Sequence, residues 1–275
     1  MRTLWLFLCF ALGAQGAGLL APWWVFGSVT SGRGARRGGR ADDHEAPLDV
    51  TSFGSDGELP LFKTARRMLL HASPVVALRF SERNQTEEGR TRLGNGTVLA
   101  WGYDTSSPFE IRIHTQTYQT LGHPFLRLLV TGVAGDCRIV SRFVKQTALN
   151  HTLQYNSFAS GAYLARELAE FLQSVAMGDR PLICHAIICS GVDGSVLSVE
   201  PSCEVSEVEA VCAGRGAGLG QTLLDREYSA NSTLDEALAL AKRVINSQPQ
   251  DGGNSPAPRE LGVEFCVVYD DDEVN

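Results

Sequence analysis

Phe125-Leu-Arg-Leu-Leu-Val-Thr-Gly132 is an apolar run that ends in the turn Val133-Ala-Gly-Asp136, and two helices' worth of 3.6-residue periodicity follow it. A strand feeding a helical layer is the immediate consequence. In the helices, Ile139, Val140, Phe143, Val144, Thr147, Ala148 and His151 fall on one stripe, as do Leu164, Ala165, Leu168, Phe171, Leu172 and Val175. Each helix is therefore expected to bury one face. Beyond them lies Arg180-Pro-Leu-Ile-Cys-His-Ala-Ile-Ile-Cys-Ser190, then the turn Gly191-Val-Asp-Gly194, the strand Ser195 to Val199 and a third strand expected from Cys203 to Cys212. An Asp-Gly between two β-rich runs signals a hairpin. The glycine-rich Gly214-Arg-Gly-Ala-Gly-Leu-Gly220 then leads into a further helix, so the order through Leu224 is strand, two helices, two or three strands, helix.

Toward the N-terminus, Glu58 to His71 has helical character, with Leu61, Ala65, Met68 and Leu69 on one face and Pro60 in the first turn, where proline is tolerated. Pro74 to Ser81, Thr97 to Tyr103 and Phe109 to Thr117 read as strands, joined by polar loops, with residues 82–96 as the most exposed loop. Toward the C-terminus, Thr233-Leu-Asp-Glu236 is a capping box that starts a helix running to about Asn246. Gln248 to Pro258 is loop-like, Gly262 to Tyr269 is a last strand, and Asp270-Asp-Asp-Glu273 is an acidic tail.

Composition sets further bounds. The apolar fraction of 44% over 275 residues is ordinary for a globular protein. Residues 1–40 hold five arginines and no Asp or Glu; removing those charges from the net −7 leaves −12 on residues 41–275. An acidic body argues against a nucleic-acid surface. Residues 1–16, with Arg2, an apolar run from Leu4 to Leu12 and small residues before Ala17, read as a secretory signal peptide. The run is too short to span a bilayer, so the mature form is expected to hold no membrane segment. Residues 17–47 form an Arg/Gly-rich linker or second targeting segment, and 48–275 the folded domain with its acidic tail. The two-part N-terminus resembles addresses that lead into complex plastids. With the signal in use, six cysteines remain, and Asn84, Asn95, Asn150 and Asn231 become candidate N-glycosylation sites.

The order helix, strands, two helices, strands, two helices, strand is that of an α+β, four-layer αββα sandwich, the N-terminal-nucleophile hydrolase fold. The residues resemble more specifically the α-type subunit of the 20S proteasome. Phe53-Gly-Ser-Asp-Gly-Glu-Leu59 is similar to the family's Phe-Ser-Pro-Asp-Gly-Arg-Leu lead-in, with Phe53, Asp56, Gly57 and Leu59 as matching positions. In the family that lead-in precedes a helix found only in α-type subunits. Leu129-Val-Thr-Gly-Val-Ala-Gly-Asp136 and Arg180-Pro-Leu to Gly194 resemble two further family segments, and the likeness runs from about Asp49 to Tyr269. It implies other α-type and β-type subunits as partners in a hetero-oligomeric ring and a part in general or ubiquitin-dependent protein catabolism. The gating triplet Tyr-Asp-Arg is replaced at the corresponding Ala46-Pro-Leu48, and no lysine occurs between Lys63 and Lys145, where an activator-docking lysine is expected. Gate control and activator docking are therefore not carried over.

Catalysis in this family uses a threonine freed at the chain's N-terminus, its α-amine serving as base and a lysine lowering that amine's pKa. The nucleophile would open the first strand near Pro74, where the chain has His71-Ala-Ser73; Gly96-Thr97 lies one strand too late. No catalytic residue is assigned, and the chain is expected to be a non-catalytic subunit. The alternative is an internally processed threonine-type peptidase or amidohydrolase; a binding module reusing the fold is a third reading. The glycines of 214–220 are read as tight packing of a helix start on a strand rather than a nucleotide loop, so no cofactor is expected. Cys184 and Cys189, five apart on one strand, face opposite sides. The histidines at 44, 71, 114, 123, 151 and 185 have no ligand spacing, so no metal site is assigned. The N-terminus points to the secretory route and a complex-plastid compartment, whereas the family resemblance gives cytoplasm and nucleus as the alternative.

Overall fold

The computed structural model describes residues 53–54, 57–85, 91–103, 118–121, 125–178, 180–247 and 261–270, all within the unit Ala46–Asn275. The elements run α1 (Pro60–Leu69), β1 (Val75–Gln85), β2 (Thr91–Tyr103), β3 (Tyr118–Thr120), β4 (Leu126–Gly132), α2 (Ala134–Tyr155), α3 (Gly161–Gly178), β5 (Cys184–Ser190), β6 (Ser195–Val199), β7 (Val205–Glu207), β8 (Ala210–Ala213), α4 (Ala217–Glu227), α5 (Leu234–Asn246) and β9 (Gly262–Tyr269). Strands pair in the orders β8-β1-β2-β9 and β3-β4-β5-β6-β7. All of these pairings are antiparallel.

Alternation along the strands builds three cores. Leu126, Leu128 and Val130 of β4 and Cys184, Ala186 and Ile188 of β5 pack under α2 and α3. Val76, Leu78 and Phe80 of β1 with Val98 and Ala100 of β2 pack under α4 and α5. The intervening residues, Val75, Ala77, Leu99, Trp101, Leu129, Ile187, Cys189 and Val196, meet between the sheets. Strands buried on both faces must be apolar at almost every position, which is why β4 and β5 read as unbroken runs. The layers are thus α2/α3, five-stranded sheet, four-stranded sheet, α4/α5: the expected αββα sandwich. Cys184 and Cys189 face different cores, as their spacing requires.

Several boundaries differ from the sequence reading. Residues 82–85 and 91–96 of the expected loop are strand: β1 and β2 pair from Val75↔Trp101 out to Gln85↔Thr91. The sequence there, Ser-Glu-Arg-Asn-Gln paired with Thr-Arg-Leu-Gly-Asn, is polar but for one leucine and so offers no hydrophobic period to detect. The single strand expected from Cys203 to Cys212 is two, β7 in one sheet and β8 in the other, because the chain changes layers at Val208-Glu209. Consecutive groups there serve different sheets: Val208 N–H donates to the Val196 carbonyl, and the Glu209 carbonyl accepts from Arg79 N–H. On α2 the buried stripe is Asp136, Cys137, Val140, Ser141, Val144 and Ala148. Two polar residues hold places that a hydrophobicity pattern gives to others, leaving Ile139 exposed; Met68 of α1 is likewise exposed. Helix α5 carries the full capping box, with Thr233 Oγ1 accepting from Glu236 N–H and Glu236 from Thr233 N–H. The expected strand Phe109–Thr117, Asp56 and the loop Gln248–Pro258 lie outside the described residues. Among the described residues no helix is long and apolar enough to cross a membrane.

Candidate functional site

The relevant geometry lies where α1 enters β1, at the end of the sandwich. Helix α1 has no side-chain N-cap and opens with a proline, preceded by a turn in which Gly54 N–H donates to the Glu58 carbonyl (2.8 Å) and Gly57 has φ of 79°. Leu59 is the N-cap position, and Phe53 is exposed. The helix ends in a turn, with Ala72 N–H donating to the Leu69 carbonyl at 2.9 Å. Ala65 and Leu69 are buried, and Arg66 pairs with Glu200 beyond β6 at 3.0 Å.

The junction itself is bonded from several sides. The Ala72 carbonyl accepts from Arg215 N–H (3.0 Å), the Ser73 carbonyl from Thr131 Oγ1 (2.5 Å) and the Pro74 carbonyl from Gly102 N–H (2.9 Å). Gly214, with φ of +88°, brings the β8–α4 turn so close that a Cβ there would run into the Ser73 carbonyl. Only glycine combines that conformation with that approach. Helix α4 starts at Ala217, and Gly220 lies within it against Cys212, which matches the packing role read from the sequence.

On the inner face of the five-stranded sheet, below this junction, lie Thr131, His185 and Ser198, all buried. His185 Nε2 and Ser198 Oγ are 2.8 Å apart. Burial pushes the His185 pKa below its ordinary value, against a smaller upward pull from the Glu200 carboxylate, so the imidazole is held neutral. Ser73 stands inside this bonded junction with proline next to it. The described lysines, Lys63, Lys145 and Lys242, stand on α1, α2 and α5, none on a strand. Thr97 is 1% exposed inside β2, between β1 and β9, with Gly96-Thr97 an ordinary strand peptide.

A second polar centre secures the helix layer, and the sequence reading recognised its segments without its purpose. Asp136 in the first turn of α2 accepts from both terminal nitrogens of Arg180 (2.8 Å each) and from Ile183 N–H at 2.8 Å. The Asp136 side chain is 4% exposed, whereas that of Arg180 is 53% exposed. Burial alone would raise the Asp136 pKa; the Arg180 hydrogen bonds, the Ile183 amide and the guanidinium charge outweigh it and hold the pKa below 3.8. Gly132, at φ of 146°, lets β4 pass directly against Ile183 and Cys184. The Gly-Asp of one motif and the Arg-Pro-Leu of the other are two halves of one clamp.

The four sequons are not brought together. Asn84 lies on β1 opposite Arg92; Asn95, on β2, is half-buried and accepts from Ser81 Oγ at 2.8 Å. Asn150 is exposed on α2, and Asn231 is exposed in the turn before α5.

A family model described as proteasome subunit matches residues 118–255, half of the chain. The chain belongs to the proteasome subunit family. Among curated relatives, the "Proteasome subunit alpha" of Methanocaldococcus jannaschii is 27% identical over 225 residues, covering 80% of this chain and 78% of that protein. Those of Saccharolobus islandicus and Saccharolobus solfataricus are each 28% identical over 121 residues, 42% of this chain and 50% of theirs. Against the Saccharolobus proteins the chain therefore spans about half the relatives' length. The proteasome-subunit fold is the sandwich described above, and the relatives named are of the alpha kind.

Proposed function

We propose that this chain is a non-catalytic α-type subunit of a 20S proteasome-like core particle, joining other α-type and β-type subunits in a ring and serving general or ubiquitin-dependent protein catabolism. The observation that carries the reading is helix α1 itself, which leads into β1 through a junction whose Ala72, Ser73 and Pro74 carbonyls are bonded by Arg215, Thr131 and Gly102. The relatives' designation as alpha subunits supports it. Phe53, Gly57 and Leu59 precede α1 as the resemblance requires. With no lysine near Tyr118–Leu121, activator docking of the family's kind is not assigned.

For location, we propose that residues 1–16 act as a signal peptide and that the protein works in a complex-plastid compartment, the alternative being cytoplasm and nucleus. Native mass spectrometry of the protein from its own cells, with the mature N-terminus read from the same sample, tests the functional reading. A many-subunit particle whose chain begins upstream of Asp49 supports it. A single chain beginning at Ser73 or another nucleophilic residue near Pro74 overturns it in favour of an internally processed hydrolase. A fluorescent fusion carrying residues 1–40 that stays cytosolic overturns the proposed location alone.

A further inference from the structure

A groove of about 710 Å3 runs between β3 and the outward face of α2, with Gln119 on one side and Ser141, Arg142, Lys145, Gln146 and Leu149 on the other. That volume falls within the range of about 300–1,000 Å3 usual for small-molecule sites. Among the described residues no carboxylate lines it, in a chain with 31 acidic against 24 basic residues. Arg138 also borders the groove, but it is already engaged within the protein and is not counted as open. Arg142 and Lys145 are exposed and hold no ion pair with any described residue.

A third donor stands beside these two cations. Ser141 is 3% exposed, and its hydroxyl, in the wall of the groove, has no hydrogen-bond partner. A helical Ser or Thr ordinarily returns its hydroxyl to the carbonyl one turn back, as Thr152 does to the Ala148 carbonyl at 3.0 Å on the same helix. Ser141 does not, although a buried hydroxyl left unmet is costly. An unmet donor next to two unpaired cations is arranged for an incoming anion.

The number of donors selects the kind of anion. Lys145 lies four residues from Ser141 and three from Arg142, so it neighbours both on the helix surface, with Cβ atoms about 5–6 Å apart. A carboxylate brings one charge and two oxygens, and would leave one cation unmet. A phosphate monoester brings a charge of about −1.5 to −2 at pH 7 and three terminal acceptor oxygens, one each for guanidinium, ammonium and hydroxyl. The groove is far larger than a phosphate alone, and Leu149, one turn beyond Lys145 and 59% exposed, gives the rest of the ester an apolar wall. We infer that this groove binds a small phosphate monoester, its phosphate held by Ser141 Oγ, Arg142 and Lys145 and its organic group lying along Leu149. The inference goes beyond the ring assignment and does not depend on it, since every donor comes from this one chain.

The test is isothermal titration calorimetry of the full chain in chloride buffer of low ionic strength, with phenyl phosphate, inorganic phosphate and phenyl sulfate as titrants. Saturable binding of phenyl phosphate is expected, tighter than inorganic phosphate because of Leu149 and tighter than the singly charged phenyl sulfate because of its second charge. Affinity should fall about tenfold or more in the R142E/K145E double variant and weaken as salt is raised. Leu149→Ala should erase the preference for the phenyl ester. Ser141→Ala should weaken binding by about threefold or more yet leave Tm unchanged or higher, because the hydroxyl it removes has no partner in the free protein. A lower Tm with unchanged affinity in Ser141→Ala would show a structural hydroxyl and overturn the inference. Both charge-reversed residues are solvent-exposed, and an unchanged circular dichroism spectrum confirms folding; should R142E/K145E not fold, Ser141→Ala and Leu149→Ala decide by themselves. Binding that is absent, equal for phenyl sulfate, or indifferent to R142E/K145E overturns the inference. So does binding confined to phosphatidylcholine vesicles carrying phosphatidate, which would make the ligand a membrane surface.

Discussion

Removing the guanidinium of Arg180 should destabilise the sandwich in a manner that reverses with pH. In the native protein Asp136 is held ionised at 4% exposure by two Arg180 hydrogen bonds and one from Ile183 N–H. In Arg180→Ala the carboxylate keeps one amide partner and loses its counter-charge, and breaking a buried pair this way costs about 3–5 kcal/mol. Half of the Arg180 side chain already faces water, so the native pair forfeits part of its Coulomb energy to solvent, and about 3 kcal/mol is the figure to expect at pH 7. For a domain of this size that is a fall in Tm of roughly 6–12 °C. Asp136→Ala should cost a similar amount, about 2–3 kcal/mol, through the stranded Ile183 N–H and the lost charged hydrogen bonds. The pH dependence separates the reasoning from a generic packing defect. Native Asp136 titrates below 3.8. The unfolded chain therefore binds more protons between that depressed pKa and the unfolded value, and the stabilisation, full above about pH 4, is lost as pH falls through the folded pKa. In Arg180→Ala, burial is left largely unopposed and raises the carboxyl, so the folded state takes up the proton first and the deficit shrinks on acidification from pH 7 toward 5. Urea unfolding of both proteins at pH 7, 5 and 4 measures this. A deficit that is constant or grows over that range refutes the account.

The His185 imidazole, lowered mainly by burial, acts in the same direction in a higher pH window. As pH falls below 6.5 the unfolded chain binds the proton more readily, so stability should decline toward pH 5, and His185→Gln should flatten that slope in thermal melts. Gly214→Ala should lower thermal stability by about 2 kcal/mol or more, through the positive φ and the collision with the Ser73 carbonyl, whereas Gly135→Ala, which meets nothing, should be close to neutral. Thr233→Ala should cost about 1 kcal/mol by removing the α5 cap, measured in the same melts. Burial pushes the thiols of Cys137, Cys189 and Cys212 up to about 12. Ellman's reagent at pH 8 should therefore leave them unreacted in the native protein and label them only after unfolding.

What was legible in the sequence was whatever periodicity encodes. Leu126-Arg-Leu-Leu-Val and Cys184-His-Ala-Ile-Ile announced strands, Thr233-Leu-Asp-Glu236 announced its helix, and Gly191-Val-Asp-Gly194 its hairpin. Hydrophobic pattern failed where backbone pairing continues through a polar sequence, as at Asn84 and Arg92, and where the chain changes sheets inside one β-rich run, as at Val208-Glu209. It failed also where polar side chains take core positions: Asp136 and Ser141 are more buried than Ile139 beside them. The absence of a strand lysine was plain from the sequence. The bonding that fixes Ser73-Pro74 was not, because its partners, Thr131, Gly102 and Arg215, come from distant segments that only the fold brings together.

The layer change at Val208-Glu209 also decides how the sandwich can move. The strands on either side of it, β7 and β8, are the corresponding edges of the two sheets, while β3 and β9 are the other edges. Two neighbouring residues, one bonded into each sheet, act as the spine of a book: the pages cannot slide along one another, and any breathing of the inter-sheet core must swing about that spine. The margin at β3 and β9, farthest from that spine, is where such a motion has its greatest amplitude. Amide protons there should exchange with solvent before those of β1, β5 and β6, and a partner gripping that margin would hold the whole book shut.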